Sequence, residues 1–154
     1  MTEKTEIIEV IAITHITEKG SKFNRNKIAS FLFKHLDEFG DNVEAILKAI
    51  NYALDDKPGQ GGFIIVAHEA DEIVGAVVVN ETGMEEYIPE NILVYIAVHN
   101  NYRGKGIGKI LMQNAIANAK GSIALHVEPE NPARHLYEKL GFTSKYLEMR
   151  LARQ

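Results

Sequence analysis

The sequence predicts one α/β domain of the α+β kind, with helices packed on a mixed sheet. Three observations predict it. Short β-branched apolar runs alternate with segments whose apolar residues recur at helical spacing, and neither an internal repeat nor a low-complexity linker interrupts them. The 154 residues are also enough to bury roughly 68 to 70% of the unfolded chain's surface without a disulfide or metal staple. In chain order, residues 6–14 (EIIEVIAIT) are β-branched and read as a strand. Residues 24–39 place Ile28, Phe31, Leu32, His35, Leu36 and Phe39 at helical spacing, and Gly40 stops that helix. Asp41 is the expected N-cap of a second helix bearing Val43, Ile46, Leu47, Ile50 and Leu54 on one face. A flexible loop, KPGQGG at residues 57–62, leads into two apolar runs, 63–67 and 73–79. The polar HEADE turn between those runs makes them an antiparallel hairpin.

The polar loop over residues 81–91 leads to ILVYIAV (92–98), continuously apolar as a strand covered on both faces is. A third helix opens in HNNYRGKGIGK (99–109), carries Ile107, Ile110, Leu111, Ala115 and Ala119 at helical spacing, and ends before Gly121. Residues 122–127 are a further strand. Asn131 as N-cap and Pro132 at the first helical position start a last helix that Gly141 ends. Residues after Phe142 are expected to return as a strand, with Tyr146, Leu147 and Met149 among the candidates for burial. The expected order is β-α-α-β-β-β-α-β-α-β.

Composition narrows the function. Without cysteine there is no disulfide, thiolate metal site or Cys nucleophile. The longest apolar runs, residues 73–79 and 92–98, are far too short to span a bilayer, and the acidic start MTEKTEIIEV lacks a signal-peptide apolar region. A cytoplasmic protein with no membrane partner is expected. Residues 1–100 hold 8 Lys+Arg against 17 Asp+Glu, whereas residues 101–154 hold 9 against 4. A basic segment in an acidic chain suggests an anionic ligand, without the overall basicity of a nucleic-acid binder.

That basic segment contains RGKGIG, three glycines within five residues between a strand and a helix. Glycines let a backbone approach a ligand closely, and the free N–H groups of a helix start bind phosphate oxygens. Arg103, Lys105 and Lys109 add charge. A P-loop is absent, because Ile110 follows Gly108-Lys109 where a Mg-binding hydroxyl belongs. The spacing Gly-x-Gly-x-Gly also departs from the dinucleotide fingerprint, although Glu128 imitates that motif's ribose-binding acid. The histidines show no ligand spacing, so no metal is expected.

ILVYIAV followed by NYRGKGIGKILMQ resembles the acyl-CoA-binding signature of the GNAT N-acetyltransferase superfamily, Gln/Arg-x-x-Gly-x-Gly/Ala, met here by Arg103, Gly106 and Gly108. ENPARHLYEKLGF (130–142) is similar to that superfamily's second conserved segment. The resemblance covers residues 63–142; residues 1–55 fit only as the expected strand and two helices. It implies a single GNAT-like domain over residues 1–154, with a mixed, mostly antiparallel sheet, splayed central strands and about four flanking helices. Acetyl-CoA is the implied cosubstrate. By resemblance, the backbone of Ile96, Ala97 and Val98 pairs with pantetheine like an added strand. Arg103, Gly104, Lys105, Gly106, Ile107, Gly108 and Lys109 hold the pyrophosphate. Asn131 and Tyr137 line the far side, and Arg134 joins the CoA-binding residues.

Transfer of an acetyl group to an amine needs a neutral nucleophile, an oxyanion stabiliser and a proton for the departing thiolate. With no cysteine, direct attack in a ternary complex is expected. The resemblance makes Tyr137 the donor to the CoA sulfur and the Val98 N–H the oxyanion donor. His126, on the fifth strand, is the candidate base, with Glu128 behind it. Glu81, Glu85, Glu86 and Glu90 either attract a cationic amine or form a solvated acidic loop. The implied acceptor is a small-molecule or peptide primary amine, and a homodimer is a further expected partner state. A non-catalytic acyl-CoA-binding or sensing module satisfies the same motifs.

Overall fold

A computed structural model describes residues 7–153. Its first strand, β1 (Glu9–Ile13), is shorter than the expected 6–14; Glu6 lies outside the described residues. The strand stops where the Thr17 hydroxyl accepts the Thr14 N–H at 2.8 Å, turning the chain. Helix α1 (Arg25–Leu36) is capped by Asn24, whose Oδ1 accepts the Lys27 N–H at 2.8 Å. It ends before the expected Phe39, because Asp37 adopts φ +52° and a tight 3₁₀ turn, Asp37–Phe39, follows. Helix α2 (Val43–Leu54) is capped by Asn42, whose Oδ1 accepts the Ala45 N–H at 2.8 Å. The expected cap, Asp41, instead accepts a hydrogen bond from the Tyr95 hydroxyl, a tertiary partner that local reading does not supply.

Strands β2 (Gly62–Glu69) and β3 (Glu72–Glu81) form the expected antiparallel hairpin, with β1 on the outer edge of β2. β4 (Asn91–Val98) runs antiparallel to β3. Helix α3 (Ile107–Asn118) then crosses over to β5 (Ile123–Leu125), which lies parallel to β4, and α4 (Ala133–Lys139) follows. The sheet order is β1-β2-β3-β4-β5. One face packs on α1 and α2, where Ile28, Leu32, Ile46 and Ile50 meet Ile64, Val66 and Val78. The other packs on α3 and α4, where Leu111, Met112 and Tyr137 meet Ile65, Val77 and Val79. Burial on both faces explains the uninterrupted apolar runs of β2 and β3, each fully buried Ile or Val contributing roughly 1.5–3 kcal/mol. β4, expected to be covered on both faces, alternates instead: Leu93, Tyr95 and Ala97 are buried, whereas Ile92 is exposed and Val94, Ile96 and Val98 are half-buried, because the short β5 leaves much of its edge uncovered.

The sheet splits between its parallel strands. β4 pairs with β5 only at Asn91, Ile92 and Leu93, leaving residues 94–98 with no strand on that side among the described residues. The closed end is pinned: Asn91 Nδ2 donates to the Lys120 carbonyl at 2.7 Å, and the Glu90 carboxylate accepts the Ser122 N–H at 2.6 Å. A register irregularity against β3 leaves Val94 as an extra residue just where the strands separate. β5 is correspondingly shorter than residues 122–127, and His126 and Val127 fall beyond it. The expected last strand does not form. Residues 143–153 contain no strand, and Tyr146, Leu147 and Met149, expected to be buried, are 80%, 90% and 90% exposed. A strand exists only where its backbone pairs, and this segment pairs with neither outer edge of the sheet within the described chain.

Among the described residues, no helix is long and apolar enough to cross a membrane.

Candidate functional site

The split opens into a cavity of about 520 Å³ that draws its walls from both faces of the sheet. One wall is the free half of β4, at Ile96, Ala97 and Val98. A second is the start of α3 with the preceding loop. A third is Asn131 and the first turns of α4. The fourth is the end of α1 with Asp37, Glu38 and Phe39. Of the residues singled out from sequence, Ile96, Ala97, Val98, Arg103, Gly104, Gly106, Ile107, Gly108, Asn131 and Tyr137 come together here. Lys105, Lys109, Arg134 and His126 do not line it. Lys105 lies over the Tyr102 ring at 5.1 Å, and Lys109 is exposed on α3. Arg134 pairs along its own helix with Glu138 at 2.8 Å. His126 is exposed just past β5.

The loop before α3 has the shape of an anion cradle. Gly104 and Gly106 adopt φ +79° and +82°, a region where a side chain strains the backbone. A Cβ built on Gly106 would meet nothing within 4 Å, so the space before the helix is open. The N–H groups of Gly104, Gly106, Ile107 and Gly108 find no partner among the described residues, as expected of a helix start, and the helix dipole adds positive potential there. Gly108 serves packing instead: its Cβ would sit 3.3 Å from Leu136 and 3.8 Å from Val98. Arg103 bridges the cavity mouth, donating from Nη2 to the His35 carbonyl at 3.0 Å and lying 3.6 Å from the Asp37 carboxylate.

Tyr137 is 6% exposed, and burial pushes its hydroxyl pKa up to about 12. That hydroxyl makes no hydrogen bond among the described residues, although the ring packs near Phe142 at 6.1 Å. Nearby, His35 is buried and stacks on His99, with ring centroids 4.3 Å apart. Desolvation, then the His99 charge, push the His35 pKa down. Its Nδ1 accepts the Asn100 N–H at 3.2 Å, and this contact assigns the ring proton to Nε2. His35 is thus set as a neutral hydrogen-bond donor.

Sequence reading missed His35, Asp37, Glu38 and Phe39 as cavity residues. The apolar spacing through Phe39 reads as uninterrupted helix; His35 reaches the cavity from within α1, and the break at Asp37 places Asp37, Glu38 and Phe39 beside it. The acidic loop leading into β4 lies at the opposite end of that strand from the cavity. Within it, Glu90 caps the start of β5, and the Ser122 and Glu86 N–H groups depress its pKa.

An open strand edge beside an unsatisfied helix start is a geometry with the hydrogen-bonding groups to take an extended amide-bearing chain ending in phosphates. More specifically, the chain belongs to the GNAT acetyltransferase family: residues 60–144 match the acetyltransferase (GNAT) domain. Over 84 residues it is 34% identical to a 5-NmdU N-acetyltransferase of Pseudomonas phage PaMx11, a stretch covering 53% of this chain and 58% of that relative. The fold is similar to that of an aminoglycoside N-acetyltransferase, AAC(6')-Iy, in complex with CoA. There the TM-score is 0.67 at 13% identity, over 100% of this chain and 99% of the other. A ribosomal-protein-alanine N-acetyltransferase from Brucella melitensis biovar Abortus 2308 matches with TM-score 0.61 at 17% identity, over 96% and 100% of the two chains.

Proposed function

We propose that the protein is a cytoplasmic N-acetyltransferase that moves the acetyl group of acetyl-CoA onto a primary amine by direct attack in a ternary complex. One observation carries the reading: the unpaired edge of β4, the free N–H groups before α3 and the unpartnered Tyr137 hydroxyl meet in a single cavity. Pantetheine amides pair with the backbone of Ile96 and Val98, and the pyrophosphate rests on the N–H groups of the cradle. The acceptor reaches the thioester from the wall formed by Asp37, Glu38 and Phe39, on the opposite face of the sheet. Its neutral nitrogen attacks the carbonyl carbon, and the Val98 N–H steadies the oxygen as it gains charge. The C–N bond forms, the C–S bond breaks, and the ammonium proton leaves to water or to Glu38, a cavity carboxylate with no ion pair among the described residues.

Tyr137 faces the leaving sulfur. With its pKa near 12 and a thiol's near 8.5, complete proton transfer from phenol to thiolate is uphill by roughly 5 kcal/mol. Its contribution is therefore a hydrogen bond to the developing thiolate, which takes its final proton from solvent. His126 enters this scheme only through water, given its place outside the cavity. The relatives' names describe N-acetyl transfer onto chemically different amines, which supports an amine acceptor and leaves its identity to assay.

Calorimetry with CoA and with a CoA fragment lacking the phosphates tests the cradle, and thiol release from acetyl-CoA across an amine panel tests turnover. Binding that depends on the phosphates together with release by a cationic amine is the expected result. Binding without release from any amine class supports a sensing module, and undetectable binding at millimolar CoA overturns both readings.

A further inference from the structure

Tyr95 puts a polar tip into an apolar layer. The irregularity that leaves Val94 as an extra residue also changes which face the side chains of β4 meet: Leu93 packs toward α3 and α4, whereas Tyr95, two residues on, packs toward α1 and α2. Its ring lies in the layer of Ile28, Leu32, Ile46 and Val78, where a Phe would fill the same volume. The hydroxyl donates to the Asp41 carboxylate at 2.5 Å, 54 positions back along the chain. Burial, then the hydrogen bond to Asp41 and its negative charge, push the Tyr95 pKa up, so the hydroxyl keeps its proton as a standing donor.

Asp41 ends the short segment that carries the cavity wall at residues 37–39. The chain leaves α1 at Asp37, makes its 3₁₀ turn and closes back at Gly40, where a Cβ would stand 2.6 Å from the Leu36 Cβ. Both ends of this segment are held from the elements that the proposed function gives to CoA. Arg103, in the loop before α3, reaches the His35 carbonyl and the Asp37 carboxylate at one end. Tyr95, on the strand whose residues 96–98 form the open edge, holds Asp41 at the other. The two holds are unequal. The Arg103 and Asp37 side chains are 54% and 53% exposed, so water screens their attraction. Tyr95 is 9% exposed, and a hydroxyl bonded to a carboxylate makes a short, charge-assisted contact.

We propose that Tyr95 is a positioning residue for the acceptor: through Asp41 its hydroxyl holds the Asp37–Phe39 turn at a set distance from the open edge of β4, so that one strand places both substrates of the transfer. This role rests on the acceptor entering by that wall, as proposed above. Tyr95 itself does not line the cavity and touches neither substrate. The demand on its geometry is strict, since attack needs the nitrogen within about 3–3.5 Å of the carbonyl carbon, and a displacement of about 1 Å costs up to about a hundredfold in rate. The backbone of residues 96–98 sets the thioester and the side chains of the turn set the amine. The Tyr95–Asp41 bond ties the second to the first, and its loss lets the turn drift while ring, sheet and cradle stay in place.

Tyr95→Phe and Asp41→Ala test this on the full chain. With the best amine of the panel, Tyr95→Phe should lower kcat/KM for the acceptor roughly tenfold or more, chiefly through a higher acceptor KM, while the Kd for CoA stays within about twofold of the parent. Asp41→Ala should match it, and the double variant should be no worse than either single change, because both remove one bond. Asp41→Asn, whose amide oxygen still accepts, should keep most of the parental value. Hydrogen exchange should quicken at residues 36–41 in Tyr95→Phe and elsewhere remain as in the parent. A bond that only stabilises the fold gives a lower Tm with parental kcat/KM, or losses that add in the double variant, and either result overturns the inference. So does unchanged exchange at residues 36–41, or CoA affinity that falls in step with the acceptor's. A parent that releases thiol with no amine overturns the acceptor reading and this role with it; a parent that turns over beside an equally active Tyr95→Phe overturns this role alone.

Discussion

Replacing Tyr137 by Phe removes one hydroxyl from the cavity wall and leaves the buried ring in place. Because that hydroxyl has no protein partner among the described residues, the variant should unfold within a couple of degrees of the parent at neutral pH, and CoA should bind with nearly the same Kd. The loss falls on the chemical step. A hydrogen bond to a charged acceptor is worth about 1.5–3 kcal/mol. If it forms only as the sulfur gains charge, single-turnover thiol release slows roughly 10- to 150-fold. The same residue leaves a mark on alkaline stability. Its folded pKa of about 12 lies above the ordinary value of 10. The stabilisation linked to its neutral form is therefore complete below pH 10 and is lost as pH rises through 12. The full difference is about 2.7 kcal/mol, less what partial solvent access screens. The Phe variant should lack that component, so the two unfolding curves converge or cross at high pH. An unchanged single-turnover rate would refute the sulfur-facing role. A fall of many degrees in Tm at neutral pH would make Tyr137 a packing residue, and parallel alkaline unfolding curves would refute the burial argument.

Gly106→Val places a branched side chain at φ +82° in the open space before α3; calorimetry should find CoA affinity reduced more than tenfold, with only a few degrees lost in Tm, whereas equal damage to both marks an ordinary turn. Glu38→Gln should lower kcat/KM for a cationic acceptor and flatten its salt dependence, while Glu85→Gln with Glu86→Gln, far from the cavity along β4, should do neither; the opposite pattern moves the acceptor entrance to the acidic loop. Asn42→Ala should destabilise the fold by about 1 kcal/mol through loss of the α2 cap, measured by denaturant unfolding, and Asp41→Asn should spare that cap while changing the Tyr95 contact. Arg25 holds the Glu18 and Asp55 carboxyls below their ordinary range. Folded pKa values below the unfolded ones give stability that is present above about pH 4 and lost as pH falls through the folded values, so Arg25→Gln should reduce the acid dependence of unfolding, and an unaltered acid limb would refute that pairing.

The cradle was legible because its chemistry is local. Positive-φ glycines, a helix start and neighbouring cations all lie in RGKGIGK, and the wall that carries Tyr137 follows a strand and a capping Asn-Pro in plain order. The cavity wall at Asp37, Glu38 and Phe39 was not legible, because it depends on one residue, Asp37, leaving helical geometry within a segment whose apolar spacing continues to Phe39. The N-cap of α2 moved by one residue for a related reason. Both Asp41 and Asn42 can cap, and the Tyr95 hydroxyl, more than fifty residues away in sequence, decides which of them is free to do so.

What the sequence by itself determined is the set of elements whose signals are short in range: β-branched runs, helical periodicity, and the positive-φ glycines before α3. The apolar run of residues 92–98 marks β4 as a strand, but it is silent on how far each face is covered and on which neighbour pairs with which part of its edge. Only the tertiary structure decided that β5 stops pairing after Leu125 and that residues 94–98 keep an open edge. It also decided that the tail, strand-like in pattern, is left without a sheet. Those outcomes turn on competition among distant backbone partners, because hydrogen bonding must be satisfied somewhere and the winning edge is fixed by packing of the whole chain.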